Sequence, residues 1–310
     1  MLQKSRKHFK IGPYGLVASF LIATAIILRI ILIQHFWPQT NSDEGTMGIM
    51  ALHIANGSDF PAFFYGQNYM GALEAYISAG LFHIFGPSLF PLRLSLVILF
   101  MFVLIVMYRL TSFLYTKGLA LVTLLLLVFG TYETFTRQLK ALGGAEETLL
   151  FGALMLLLAS RLAYSFYQEE AHFQQRKRNF LYGCLGLVIG LGIWSHMLTL
   201  PIVTMALLLL LLFCRSELRS RNGLLLLVGC LLGLLPLIIY NIAFPEKNFI
   251  GTLWQVHNNG GTGAEIQAVS IWNVVRGTVL VAVPMATGAY PLCSLPDQPG
   301  EWSAHLSSCM

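Results

Sequence analysis

Asp43 and Glu44 follow Trp37-Pro38-Gln39-Thr40-Asn41-Ser42 and precede Met47, Met50, Ala51 and Ile54 at helical spacing, in a run that stops at Asn56-Gly57. Asn41 or Ser42 reads as an N-cap and Gly57 as a C-terminal stop, so both acids fall in a first helical turn. The positive end of the helix dipole favours an exposed carboxylate there by about 0.3–1 kcal/mol. The acids therefore stay ionised at neutral pH, as a general base or a metal ligand must, although acids at a helix start also serve as plain capping residues. A second acidic group, Glu146-Glu147, stands immediately before another apolar run. Arg137 and Lys140, a few residues upstream, read equally as phosphate partners and as basic side chains that snorkel at the interface. His196, in Trp194-Ser195-His196-Met197-Leu198, would serve a phosphate if protonated beside it, and otherwise reads as a hydrogen-bonded interface residue. Further on, His257-Asn258-Asn259-Gly260-Gly261-Thr262-Gly263 is polar and glycine-rich but is not a P-loop, because no Gly-Lys-Ser/Thr follows. The carboxylates and His53 leave room for a divalent metal, yet no Asp-x-Asp or His-x-x-x-His spacing supports one, and no metal ligand is assigned.

The elements that must hold these residues are apolar. Of 310 residues, 56% are hydrophobic and only 11% charged, against roughly 25% charged in soluble domains. Runs of nearly membrane-spanning length recur at about Gly12–Phe36, Phe90–Leu110, Gly118–Thr131, Thr148–Ala163, Phe180–Leu198, Pro201–Phe213 and Gly223–Ala243. The fold class is therefore all-α, a polytopic membrane helical bundle of seven to eight spans. A net charge of +5, scattered between apolar runs, makes no nucleic-acid-binding face. Cys184, Cys214 and Cys230 lie in or beside apolar runs and behave as small hydrophobes, which leaves only Cys293 and Cys309 to pair. The first run is too long for a cleavable signal and lacks a small-residue cleavage site, so it reads as a retained span. Arg29 within it reads as snorkelling outward, although an intramembrane charge is always a functional candidate.

Sorting the charges with the N-terminus in the cytoplasm places 13 of the 19 basic residues inside and 11 of the 14 acidic residues outside. Solvation of external loops explains the acids, and so does a carboxylate-based site there. Gly71–Phe85 is too short to span comfortably. Leu73, Tyr76, Ile77, Gly80, Leu81 and Ile84 form one helical face, with Glu74 and Ser78 on the other, as expected of a helix lying in the interface. The first external loop then runs from Trp37 to about Leu89. Residues 1–243 read as the transmembrane core carrying external loop 37–89. Residues 244–310 read as an external loop, a segment at Trp272–Pro291 that either spans or packs at the interface, and a short Pro/Ser-rich tail.

That first loop continues Phe60-Pro61-Ala62-Phe63-Phe64-Tyr65-Gly66-Gln67-Asn68-Tyr69-Met70-Gly71-Ala72-Leu73-Glu74-Ala75. A Lys/Arg-led first span, an Asp-Glu pair at its outer end, a short helix, this aromatic segment and an interfacial helix ending Phe-Gly together resemble the membrane glycosyltransferases of the GT-C fold. The resemblance is to the bacterial branch related to protein O-mannosyltransferases and the lipid A aminoarabinose transferase. It implies sugar transfer from a polyprenyl-phosphate donor to an external glycan, lipid or protein acceptor, usually with inversion, by a multi-pass plasma-membrane protein. It implies Asp43 as the catalytic or acceptor-orienting acid, with Glu44 and Glu147 in support and Glu146 as an alternative to Glu147. It implies substrate contacts from Tyr65, Gln67, Tyr69, Glu74, Arg137, Lys140, His196 and His257. Relatives continue with several more spans, so the chain reads as a truncated or unusually short member. The competing expectations are a transporter or lipid-binding protein, against which the nearly charge-free span centres speak, and an inactive GT-C-like fragment.

Overall fold

Glycine and proline punctuation sets where the helices begin. Pro13, whose missing N–H costs nothing in a first turn, opens α1 (Pro13–Gln34) after an N-cap at Gly12. Asn41 caps α2 (Ser42–Ala55) by accepting from the Glu44 N–H at 3.1 Å, and Gly57 follows the helix with φ +68°. The computed structural model describes residues 12–167, 175–245 and 271–283; the N-terminal lysines and arginine, His257, Cys293 and Cys309 lie outside them. After α2 come α3 (Leu73–Phe85), α4 (Leu89–Leu114), α5 (Lys117–Val128), α6 (Tyr132–Leu139), α7 (Ala145–Tyr167) and α8 (Gln175–Ser195). The rest is α9 (Leu200–Phe213), α10 (Arg215–Leu218), α11 (Arg221–Gly233), α12 (Leu235–Ala243) and α13 (Ile271–Gly277), which runs into a wide π turn at Thr278–Ala282.

α4 and α7 form the spine. α1 and α5 pack against α4, α8 and α9 against α7, and α11 against α8. One apolar core joins α1, α4, α5 and α7 around Phe100, Leu104 and Leu124; a second joins α7, α8 and α9 around Met155, Leu185 and Leu210. Much apolar surface remains outside: Phe20, Leu126 and Leu212 are 70%, 69% and 74% exposed. Faces of that kind suit lipid rather than water.

Among the described residues three helices, α1, α4 and α7, are long and apolar enough to span, and five spans result if each bent pair counts as one. The seven to eight spans read from the sequence exceed that number. α5 and α6 meet at 78° and α11 and α12 at 55°. The first bend falls at Gly130-Thr131, where Thr131 caps α6, and the second just before Pro236, which cannot continue the α11 hydrogen-bond ladder. α9 has only 14 residues, and α8 begins with three cations, Arg176, Lys177 and Arg178.

α8 and α11 run in the same direction and touch backbone to backbone. A β-carbon on Gly186 would sit 2.0 Å from the Leu226 carbonyl oxygen, and one on Gly229 2.3 Å from that of Gly183. Small residues permit this approach, and dispersion across it holds membrane helices together. At the α8 N-terminal end, Arg178 pairs with Glu217, donates to the Leu162 carbonyl and to Ser165, and is joined by Tyr182 donating to Glu217 at 2.9 Å. The opposite end of the bundle gathers the first loop, the turn before α7 and the turn after α8.

Candidate active site

α2 presents its two acids to different surroundings. Asp43 is exposed in the first turn, whereas Glu44 turns inward and is 1% exposed. Arg93, in the first turns of α4 and wholly buried, grips Glu44 with two parallel bonds, Nε to Oε1 and Nη2 to Oε2, both 2.8 Å. The same Nη2 donates to the Pro38 carbonyl at 2.7 Å. Planar two-point pairing of this kind fixes both side chains, and it ties the chain leaving α1 to α4. Glu44 Oε1 also accepts from the Ala141 N–H at 3.4 Å.

Two residues further along that segment, Glu74 Oε2 accepts from the Gly143 N–H at 3.2 Å. The loop between α6 and α7 is thus held from both sides by acids of the first loop. Gly143 and Gly144 have φ of +88° and +77°, the left-handed region that favours glycine. A β-carbon on Gly144 would come within 2.3 Å of the His196 ring. His196 is placed there by a backbone pairing with Met70, and the Gly71 N–H donates to the Ser195 carbonyl at 2.8 Å.

Around this turn Glu74, Glu146 and Glu147 are 1%, 1% and 0% exposed. Glu74 and Glu147 face one another closely enough to share a proton. The two Glu147 oxygens have no other hydrogen-bond donor among the described residues, so the proton that Glu74 retains supplies the missing one. Burial, reinforced by the charge of Glu147, holds the Glu74 carboxyl well above the usual carboxylate range. Tyr69 stands edge-on to His196 with ring centres 6.3 Å apart. His196 Nδ1 accepts from the Leu198 N–H at 3.1 Å, and burial lowers its pKa. The ring is therefore a neutral Nε2–H donor at pH 7, the hydrogen-bonded form and not the protonated one that a phosphate partner would need.

Tyr65 belongs to a third group. Its hydroxyl donates to Asp59 Oδ2 at 2.6 Å and lies 2.9 Å from His53 Nδ1; burial and Asp59 push the phenol up to about 12. This chain rims a cavity of about 870 Å³ between segment 59–68 and α12, lined by Phe63, Tyr76, Trp194 and Tyr240 among others. Gln67 is half-buried, with its Oε1 enclosed and unpartnered among the described residues. Arg137 is exposed on α6, and Lys140 is half-buried at its end.

Arg29 departs from the expected snorkelling. It is fully buried between the rings of Phe100 and Phe135, at 4.0 and 4.5 Å from their centres, and Nη2 reaches Gln138 Oε1 at 2.5 Å. Two aromatic faces and an amide replace water around the guanidinium. Among the described residues no group of three or more His, Cys, Asp or Glu side chains is arranged to hold a metal ion.

The sequence description of the dolichyl-phosphate-mannose-protein mannosyltransferase family matches residues 71–240, more than half of the chain. The chain belongs to this family. It is accordingly a membrane-integral glycosyltransferase of the GT-C type. Comparison with curated proteins and with solved structures finds no match. The family match covers Glu74, Arg93, Arg137, Lys140, Glu147 and His196, while Asp43, Glu44 and Tyr65 precede it. Arg93 and Ala141, both within the matched stretch, are the residues that Glu44 binds. Arg93, Asp59 and Gln138 carry no weight in a reading of the sequence alone. The usable signal for Arg93 is an arginine in the first turns of a span, on the side where basic residues are scarce.

Proposed function

We propose that the chain transfers a sugar from a polyprenyl-phosphate-linked donor to an acceptor at the external face of the membrane, with Asp43 as the base or acceptor-orienting acid. The observation that carries this is the contrast within one dipeptide: Glu44 is consumed by Arg93 and buried, while its neighbour Asp43 stays exposed in the same helical turn. An acceptor hydroxyl is a poor nucleophile, and a carboxylate within hydrogen-bond reach removes its proton as the sugar–phosphate bond breaks. Arg137, exposed one turn before the Glu44-bound segment, and Lys140 beside it are the cations for the leaving phosphate. Tyr69 and the Nε2–H of His196 add neutral donors from the opposite side of the turn.

The test is transfer from a radiolabelled polyprenyl-phosphate sugar by membranes containing the chain. Asp43→Asn is expected to lower the rate by roughly 10²–10⁴-fold with donor binding retained. An unchanged rate would remove Asp43 from the mechanism.

A further inference from the structure

The α8–α11 pair leaves a second cavity, at the end of the bundle opposite the candidate active site. It holds about 690 Å³ and runs along the outside of the two helices. Its origin is the close glycine contact: Gly183 and Gly229 bring the backbones together and leave no side chain to fill the slot between them. A β-carbon on Gly183 would meet nothing within 4 Å. Because α8 and α11 are parallel, the slot has a direction. Asn179 and Arg221 mark one end, and Leu187 and Leu232 the other.

The dimensions and polarity match a single lipid chain with its headgroup. From Arg221 to Leu232 is 11 residues, or roughly 16 Å along a helix, close to half of a hydrocarbon core of roughly 30 Å. The rims are apolar and open: Phe180, Leu224 and Leu232 are 70%, 61% and 54% exposed. At the polar end Arg176, Lys177 and Arg221 are exposed. Glu217, the nearby acid among the described residues, is already taken by Arg178 and Tyr182; Glu169 and Glu170 lie outside those residues. An excess of positive charge above a one-leaflet apolar slot selects an anionic headgroup.

We propose that this slot is a binding site for an anionic phospholipid, with one acyl chain along Gly183, Leu187 and Val228 and the phosphate at Arg221 and Asn179. This assignment stands apart from the glycosyl-transfer reading, since the slot shares no residue with that site.

Full-length protein reconstituted with phosphatidylcholine and phosphatidylglycerol, then delipidated in mild detergent, is measured by native mass spectrometry. Phosphatidylglycerol is expected to be retained in preference to phosphatidylcholine. Gly183→Leu, which fills the slot, should abolish retention, and Arg221→Gln should weaken it about fivefold, the equivalent of about 1 kcal/mol for one basic residue. Retention unchanged in Gly183→Leu, equal retention of phosphatidylcholine, or preferential retention of an added polyprenyl phosphate would each overturn the proposal. If Gly183→Leu fails to fold, the wild-type chain supplies the test. Cys184 lines the slot, so its alkylation by a permeant maleimide, read on its own peptide, should slow with phosphatidylglycerol but not with phosphatidylcholine. Equal rates in the two lipids would count against the site.

Discussion

Glu44 and Arg93 show what a buried charge pair is worth and when. Together they lose little, because each charge is met by two short bonds; separately each is a bare ion in an apolar setting. Glu44→Ala or Arg93→Ala is therefore expected to cost about 3–5 kcal/mol, read as a lowered unfolding temperature in detergent. The joint replacement by leucine and methionine should cost much less than the sum. Glu74 behaves differently, since its folded pKa is raised. Protonated, it is compatible with burial beside Glu147; ionised, it is not. Stability from this group is fully present below the unfolded pKa near 4.5 and is lost as pH rises through the raised folded value. Glu74→Gln should flatten the stability–pH profile above that range, and a profile that keeps its slope would assign the titration to another acid.

At the scale of elements, α3 is a helix whose polar side faces protein. Glu74, Ser78 and Ala79 are buried, and Ser78 bonds Ser95 at 2.9 Å, while Ile84 is 73% exposed. The sequence makes this helix and its two faces plain from spacing alone. Which face turns inward follows only once lipid is taken as the solvent. The short α2, its N-cap and its stop at Gly57 were likewise readable, because they rest on local chemistry. The Glu44–Arg93 pair was not, since its partners are 49 residues apart and nothing in either neighbourhood names the other. Arg29 misled for the same reason: its aromatic and amide partners come from α4 and α6. The α8–α11 contact yields a prediction of its own. Gly186→Val places side-chain carbon where the Leu226 carbonyl lies, so the helices must separate. The expected result is a loss of several kcal/mol or failure to accumulate in the membrane, whereas the groove-facing Gly183→Ala should be tolerated.

Considered whole, the molecule has two distinct ends. One collects Asp43, Glu44, Glu74, Glu147 and His196; the other is stapled by Arg178 and Glu217. The charge distribution predicts the first end to be external. A cysteine at the exposed Phe60 should then react with an impermeant reagent on intact cells, and one at Arg219 only after permeabilisation; the reverse pattern would invert the orientation. The backbone from Ala141 to Gly143 is the crosspiece of the first end, gripped by Glu44 on one side and Glu74 on the other. The first loop and the loop before α7 are consequently a single thermodynamic object. Damage to either grip loosens the same few peptide units, so Glu44→Gln and Glu74→Gln should be markedly non-additive in their effect on transfer. A screen scoring single substitutions would then count one loss twice, because the protein has one shared hinge pin with a grip at each end.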